Sequence, residues 1–357
     1  MCDNKVMKKE AQSISFVGFS IESGRFETGA LKKYLHVTEQ IVDFEVLLKL
    51  AKDSSDEPII IIASDLPRYQ DIFDQSARKI ILIHLSDEAY DVRRCDLYLH
   101  PQLSLIVRNN EVFPFTFLLK HATKWLYWVL KWTISYWIKE QSFAKNLGTM
   151  KHILLSRRYL LRQMRMALLL QKTKAQVISF PLNETNFYID GQTDEVIPQS
   201  IPVSFAGTTH SSERSIASQT AEELGYSHGY SGEWGPGGKG SLSPQAYVRL
   251  LKQSQFALCP NGHVNQDCFR FYEIICAGSL PIIPNSTPYQ PFGYYQAIYD
   301  VDPRLVVTTF HVKEVKKQID AIPVNDREQI LNRLRVSVAK KNAQAKIAIS
   351  QFFPQQA

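Results

Sequence analysis

The amino-acid sequence predicts an α/β fold built on parallel sheets. Continuous apolar runs rich in β-branched residues, such as IIII at 59–62 and KIILIHL at 79–85, are typical of strands that are buried on both faces. Helical stretches alternate with these runs, which favours crossover connections between parallel strands. At 357 residues the chain exceeds the usual size of one domain. We therefore expect two α/β domains.

The first half contains several short elements in sequence order. SISFVGFS (Ser13 to Ser20) predicts a first strand, and a helix follows near Asp43 to Asp53. Four further strands are predicted in EPIIIIASD, in ARKIILIHLSDEAY, at Leu97 to Leu99 and in LSLIVRNN. Two of these strands end in carboxylates, at Asp65 and at the Asp87/Glu88 pair. Open α/β sheets bind ligands at the carboxyl ends of their strands, which is where these carboxylates are predicted to lie.

Residues 116–182 interrupt the alternation of strands and helices. FTFLLKHATKWLYWVLKWTISYWIKE holds four of the five tryptophans, and a basic, leucine-rich helical pattern follows it. One interpretation is a set of interdomain helices that pack on one another. The other is an amphipathic segment on an anionic membrane surface, with interfacial tryptophans and snorkelling basic side chains. The sequence leaves both open.

A polar linker at 183–200 precedes the second α/β half, which begins with the strand of IPVSFAG. Ser211 and Arg214 follow this strand, either at an ordinary helix start or at a ligand-binding turn. The Gly-rich stretch 229–247 lacks a recognised phosphate-loop spacing, and we expect a cleft loop in which Lys239 contacts a phosphate. Ser243 before Pro244 is a predicted N-cap.

Residues 254–284 form the most informative stretch of the chain. FALCP and LPIIP predict two buried strands, and FRFYEIICAG between them predicts a helix that ends at Gly278. In such a unit Asn261, Gly262 and Arg270 lie where ligands bind. Arg270 could bind a diphosphate, and Glu273 on the same helix face could accept hydrogen bonds from sugar hydroxyls. The alternative is a surface Arg/Glu salt bridge.

The order S-x-F-x-L-C-P-x-G, R-x-x-E and A-G-x-L-P-I-I resembles the donor-side motif of exostosin-type and ribitol xylosyltransferase-like glycosyltransferases. IPVSFAGTTHSSER, residues 201–214, extends the resemblance. It implies a GT-B architecture of two Rossmann-like domains that face a central cleft, and an inverting transfer without a bound metal. It also implies that Gly207 and Arg214 line the donor phosphates.

An inverting transfer needs a general base on the acceptor hydroxyl, and Asp87 or Glu88 is our candidate. Ser86-Asp87 is equally good N-cap chemistry, so cap and base stay open. The predicted donor-binding set is Gly207, Arg214, Lys239, Asn261, Gly262, Arg270 and Glu273. We expect no metal and no cofactor. The partners implied are a nucleotide sugar, with a UDP-sugar favoured, as co-substrate, and a glycan or lipid-linked acceptor.

Charge, cysteine content and hydropathy limit the kinds of ligand and the cellular location that the sequence predicts. The formal net charge of +6 suits an anionic ligand and does not call for nucleic acid. Five cysteines without metal or disulfide spacing, and the lack of an apolar leader, predict a cytoplasmic protein with possible peripheral contact to membranes. Cys259 and Cys276 are predicted core residues, as is His84.

The predicted divisions of the chain are an acceptor domain at 1–115, a helical segment at 116–182, a linker at 183–200, a nucleotide-sugar domain at 201–330, and a C-terminal helix and tail at 331–357. The resemblance implies that this last helix could cross back to the first domain. The function predicted is an inverting glycosyltransferase. The alternative is a non-catalytic nucleotide-sugar or glycan-binding component of a polysaccharide assembly complex.

Overall fold

The computed structural model describes the chain in segments that include both predicted sheets. They are residues 16–17, 39–40, 44–54, 58–63, 69–84, 95–108, 113–122, 127, 134, 161, 163–179, 197–231, 240–261, 268–285 and 292–350. A short parallel pair, β1 (Phe16–Val17) and β2 (Glu39–Gln40), opens the fold. The two larger sheets are also parallel throughout. The predicted α/β class with parallel sheets is confirmed.

The first large sheet has the strand order β3-β4-β5-β6. Its strands are β3 (Ile59–Ala63), β4 (Ile80–His84), β5 (Leu103–Arg108) and β6 (Gln176–Ser179). Helices α1 (Phe44–Lys52) and α2 (Gln70–Gln75) accompany them. Every residue of β4 is buried, as its unbroken apolar run predicts. His84 at its end is 2% exposed and contacts the Tyr98 hydroxyl through Nδ1, so it is a core histidine.

One predicted strand of this half is wrong. Residues Cys95–Leu99 form a 3₁₀-helix rather than a strand at Leu97 to Leu99. Leu97 and Tyr98 are both buried although they are neighbours in sequence, because the tight turn places both against the core. Three apolar residues were too short a pattern to separate the two structures.

The second large sheet has the order β11-β10-β9-β7-β8. Its strands are β7 (Ile201–Thr208), β8 (Tyr226–Tyr230), β9 (Ser254–Leu258), β10 (Leu280–Pro284) and β11 (Val306–Val307). Numbered from its own first strand, this order is 2-1-3-4-5, a doubly wound arrangement that reverses direction between β7 and β9. A ligand crevice is expected outside the carboxyl ends of those two strands.

The helices of this half are α3 (Ser212–Leu224), α4 (Pro244–Gln253), α5 (Phe269–Ala277), α6 (Tyr294–Ile298), α7 (Val312–Asp320) and α8 (Val324–Ser350). Predicted end signals are present. The Ser243 side chain caps α4 by accepting from the Ala246 amide, and Gly278 ends α5 with φ 95°. Cys276 is exposed rather than buried, because its position in the last turn of α5 faces away from the core.

Parts of the segment 116–182 lie between the two halves. Leu118 and Ala167 belong to the core around the second sheet, while Met166 belongs to the core around the first. The described residues of this segment therefore include interdomain packing. Helix α8 also contacts both halves, through α5 and through β6. It begins at Val324, before the predicted boundary at 331, and reaches the first sheet at β6. Among the helices in the described ranges, none has the length and hydropathy of a membrane span.

Candidate functional site

The site forms at the carboxyl ends of β7 and β9, where the strand order reverses. From β7 come the turn residues that follow Phe205, and β9 leads directly to Cys259 and Asn261. Helices α3 and α5 point their first turns at the same place, with Arg214 and Arg270 near their amino ends. Two helix N-termini and two guanidinium groups together give this crevice a positive potential.

Gly207 makes room for an arginine. Its φ is 155°, and a Cβ atom there would lie 2.3 Å from Nη2 of Arg270. The Arg270 Nη2 donates to the Ala206 carbonyl at 2.7 Å, and its guanidinium carbon lies 5.3 Å from the centre of the Phe205 ring. We predicted that the lack of a side chain at Gly207 lets donor phosphates approach the backbone closely. In the structure the group that approaches Gly207 closely is the guanidinium of Arg270.

Arg270 keeps unused hydrogen-bonding capacity. Its Nε is buried and has no hydrogen-bond partner among the residues that the structure describes. Burial by itself would lower the pKa of Arg270, but Tyr247, Cys268, Cys259 and Glu273 around it together raise that pKa above its usual range. The group is therefore a permanent cation with a donor to spare, which suits an anionic oxygen.

Arg214 is 6% exposed and is anchored by backbone and side-chain oxygens. Its Nε and Nη2 donate to the Asn261 carbonyl at 3.1 and 2.9 Å, and its Nη1 donates to Thr208 Oγ1 at 3.2 Å. Burial and then the nearby charge of Arg270 lower the pKa of Arg214 to about 10. The repulsion between the two arginines is a reason for an anion to bind beside them.

Ser211 accounts for the helix start at this turn. Its side chain accepts from the Arg214 amide at 3.4 Å and caps α3. The helix start and the position of Arg214 in the crevice are therefore compatible. The cap uses only the backbone amide of Arg214, and the Arg214 side chain is left to donate to the Asn261 carbonyl.

Glu213 is a site residue that sequence reasoning missed. Both its carboxylate oxygens accept from the Asn261 side-chain amide, at 3.1 and 2.9 Å. Burial raises the pKa of Glu213 to about 7, against the lowering effects of Asn261 and Arg214. The Asn261 Oδ1 is buried without a partner among the described residues. Glu213 lies in the run SSER, but this local pattern does not predict a contact with Asn261, which is 48 positions away in the sequence.

Glu273 is 5% exposed and accepts a 2.6 Å hydrogen bond from the Tyr247 hydroxyl of α4. Burial, followed by the charge of Glu273, raises the pKa of Tyr247. The surface salt-bridge alternative is wrong for this carboxylate, because it is buried. Glu273 positions Tyr247 in the structure, and its binding of sugar hydroxyls stays a prediction.

Four predicted site residues fall outside the described ranges. They are Asp87, Glu88, Lys239 and Gly262. Among the described residues, no group of three or more histidine, cysteine or acidic side chains is arranged to hold a metal ion. Of the predicted donor-binding set, the structure brings together Gly207, Arg214, Asn261, Arg270 and Glu273.

Two thiols complete the site. The Sγ atoms of Cys259 and Cys268 lie 3.6 Å apart, and both residues are buried. Cys268 is the N-cap residue of α5, and its amide donates to the Tyr295 hydroxyl at 3.0 Å.

Comparison with known families gives a direct match for this half. Residues 204–295 match the family model of the RXYLT1 C-terminal domain. The match begins in β7 and ends in α6, so it contains every described residue of the candidate site. It confirms the resemblance to exostosin-type and ribitol xylosyltransferase-like proteins, over about a quarter of the 357 residues. No curated protein sequence matches the chain.

Several solved structures have a similar outline. The crystal structure of the DNA-modifying enzyme beta-glucosyltransferase, determined with and without uridine diphosphoglucose, is 10% identical with a TM-score of 0.49, and the alignment covers 96% of this chain and 99% of that one. T4 phage BGT with its UDP-glucose substrate is 11% identical with a TM-score of 0.47 and coverages of 96% and 100%. At these values the likeness by itself establishes neither fold nor activity.

Proposed function

We propose that this chain is an inverting glycosyltransferase of GT-B type that moves a sugar from a nucleotide-diphosphate donor to a hydroxyl of a glycan or lipid-linked acceptor. One observation carries the proposal. Arg214 and Arg270 converge with the buried carboxylate of Glu273 at the reversal point of a doubly wound sheet, inside the segment that matches a glycosyltransferase-like family.

Each group has a part in donor binding. The Arg270 guanidinium, with its spare Nε donor, binds the diphosphate and stabilises the charge that the leaving nucleotide acquires. Arg214 holds the β7 turn against Asn261 and adds positive potential. The Asn261 Oδ1 and the Glu273 carboxylate accept hydrogen bonds from donor hydroxyls. The T4 phage enzyme named above binds UDP-glucose, so a uridine donor is the first to test.

The experiment is calorimetry of the full chain against a panel of nucleotide sugars, with release of the nucleoside diphosphate as the turnover readout. We expect binding of at least one donor, and its loss in Arg270→Lys, because a point charge cannot replace the planar guanidinium fork. Lys316→Gln is the matched control, since Lys316 is exposed on α7 and forms an i,i+4 ion pair with Asp320 of the same helix at 3.2 Å. Donor binding without turnover on any acceptor would favour the non-catalytic alternative. Equal donor binding in folded Arg270→Lys would overturn the site.

A further inference from the structure

The Cys259–Cys268 pair lies at the candidate site but takes no part in the proposed donor binding. Cys259 follows β9 and is held by its amide, which donates to the Ile282 carbonyl at 2.9 Å. Cys268 is the N-cap of α5, two residues before Arg270. The two Sγ atoms are 3.6 Å apart. A disulfide bond is about 2 Å long, so side-chain rotation and a small backbone shift would bring the sulfurs to bonding distance.

The surroundings make the two sulfurs chemically unequal. The Cys268 Sγ lies 3.6 Å from the Cys259 Sγ and accepts a hydrogen bond from the Tyr295 hydroxyl at 3.7 Å, and it lies near the positive charges of Arg270 and Arg214. These contacts lower the pKa of Cys268, with the hydrogen bond from Cys259 as the largest cause. Burial and the neighbouring Cys268 raise the pKa of Cys259. Such a pair has one nucleophilic thiolate and one thiol placed to resolve what forms on it.

We propose that Cys259 and Cys268 form a reversible disulfide when the protein meets a peroxide. The Cys268 thiolate attacks one peroxide oxygen, the O–O bond breaks, and the departing hydroxide takes a proton to become water. The sulfur of Cys259 then attacks the sulfenic sulfur of Cys268, and the hydroxyl leaves as water with the thiol proton. Two electrons pass from the sulfurs to the peroxide, and a dithiol reductant reverses the step.

The disulfide changes the geometry of the crevice. Closing the sulfurs moves the N-cap of α5, and Arg270 in the first turn moves with it. The contact of Arg270 Nη2 with the Ala206 carbonyl and its fit against Gly207 both depend on that position. This consequence rests on the proposed function, since it predicts that the oxidised protein binds a UDP-sugar about tenfold more weakly or worse.

Trypsin separates the relevant thiols. Cleavage after Lys252 and Arg270 yields peptide 253–270, which contains Cys259 and Cys268, while Cys276 falls in peptide 271–304. The full chain is treated with hydrogen peroxide, alkylated with iodoacetamide, digested and weighed by mass spectrometry. We expect peptide 253–270 to lose two hydrogens and escape alkylation, and dithiothreitol to restore alkylation at both positions. The exposed thiol of Cys276 is the internal control and stays alkylated.

Two variants sharpen the test. Cys268→Ser removes the nucleophile, so Cys259 should stay alkylated after peroxide, and circular dichroism checks its folding. Cys276→Ser should leave the disulfide unchanged. The proposal is overturned if Cys276 oxidises at peroxide concentrations that leave peptide 253–270 fully alkylated, or if Cys259 and Cys268 are oxidised to separate acids without a bond between them. A protein that binds no UDP-sugar would refute the proposed function alone, because the peptide masses decide the disulfide.

Discussion

At the scale of single residues, the candidate site depends on polar side chains that fold inward rather than on charges left at the surface. Arg214, Glu213 and Glu273 are all bound to other parts of the protein, through Asn261 and Tyr247. Each contact joins residues far apart in sequence. An i,i+3 pattern in the sequence predicted that Arg270 and Glu273 share a face, but it contained no information about Tyr247 or Glu213.

The first prediction concerns Glu273. Glu273→Gln keeps the side-chain volume but removes the charge, so donor affinity measured by calorimetry should fall by about 1.5 to 3 kcal/mol. Tyr247→Phe separates the two roles of this carboxylate, because it removes the hydroxyl that Glu273 accepts from and leaves the charge in place. We expect Tyr247→Phe to weaken donor binding less than Glu273→Gln. Unchanged affinity in a folded Glu273→Gln variant would show that the carboxylate is structural only.

The second prediction concerns the pH dependence that Glu213 contributes. Its pKa is raised from 4.5 to about 7 in the folded protein, so the folded state holds the proton more tightly than the unfolded state. The stabilising contribution is complete below the unfolded pKa and is lost as the pH rises through about 7. Glu213→Gln keeps an acceptor for the Asn261 amide and cannot ionise.

Chemical denaturation of wild type and Glu213→Gln across pH 4 to 8 measures this effect. As the pH rises, the free energy of unfolding of Glu213→Gln should increase relative to that of the wild type. The difference should stop changing above the folded pKa. A difference that is constant with pH would mean that Glu213 ionises as it does in the unfolded chain. Lys316→Gln, on the surface of α7, serves as the control whose difference from wild type should not vary.

At the scale of elements, the apolar runs predicted most of the second half. The strands at 254–258 and 280–284 and the helix between them lie where FALCP, LPIIP and FRFYEIICAG indicate, because consecutive buried positions leave few alternatives. The Gly278 cap and the Ser243 cap are local chemistry and were also predictable. The predicted strand at Leu97 to Leu99 is wrong, because a buried 3₁₀ turn and a short strand can have the same apolar residues.

The third prediction concerns the connection between the 3₁₀-turn Pro303–Leu305 and α8. Asp302 is 7% exposed, caps this turn and accepts from Arg304 at 2.9 Å and from Arg333 of α8 at 2.8 Å. The hydrogen bond from Arg304, as the largest cause, lowers the pKa of Asp302 from 3.8 to about 2. Its stabilising contribution is therefore present above the unfolded pKa and is lost as the pH falls through about 2.

Asp302→Asn should lower the free energy of unfolding by about 1 to 3 kcal/mol at neutral pH, after allowance for the partly exposed arginines. The deficit should begin to shrink below the unfolded pKa of 3.8, because the unfolded chain then binds a proton that the folded carboxylate does not bind until the pH reaches about 2. Thermal denaturation at pH 7 and pH 3 measures both values. Lys316→Gln breaks an exposed i,i+4 pair and should change stability by less than about 0.5 kcal/mol. If Asp302→Asn lowers the free energy of unfolding by no more than Lys316→Gln does, the contacts of Asp302 with Arg304 and Arg333 do not stabilise the fold.

At the scale of the whole molecule, the two-sheet organisation followed from chain length and strand alternation, whereas the strand order did not. The reversal between β7 and β9 that defines the crevice is a long-range property of the fold. The placement of the base candidates Asp87 and Glu88 relative to Arg270 is equally long-range, and it stays a prediction.

The fourth prediction concerns this base. Asp87→Asn or Glu88→Gln should lower turnover by about two to four orders of magnitude with donor binding kept, because a general base acts on the acceptor hydroxyl in the transition state. The other substitution should cost about 1 kcal/mol of stability as a helix cap. Calorimetry and product release measure the two effects separately. Full activity in both variants, or activity removed by a chelator and restored by manganese, would contradict a metal-free mechanism with this base.

The fifth prediction addresses membrane contact by the segment 116–182. Besides buried residues, the described part of the segment includes five large apolar side chains that are 41 to 63% exposed: Leu119, Tyr127, Ile134, Leu161 and Leu168. If they bind an anionic surface, the protein should float with phosphatidylserine vesicles at low salt, and added salt should weaken this binding. Leu161→Ser should reduce flotation. Val336→Ser, which changes a side chain of 69% exposure on α8, should not. No flotation at low salt would leave interdomain packing as the role of the segment.

Helix α8 has a consequence for the order in which the molecule is made. It spans 27 residues, follows every described strand in sequence and contacts both β6 and α5. A ribosome therefore releases both sheets before the helix that touches them both, and nascent chains with the two sheets complete still lack the contacts of α8 with α5 and β6. During that interval the core around the second sheet lacks Ile330, Leu331 and Leu334 of α8, and the link that α8 adds between the two halves forms only when synthesis of the helix is finished.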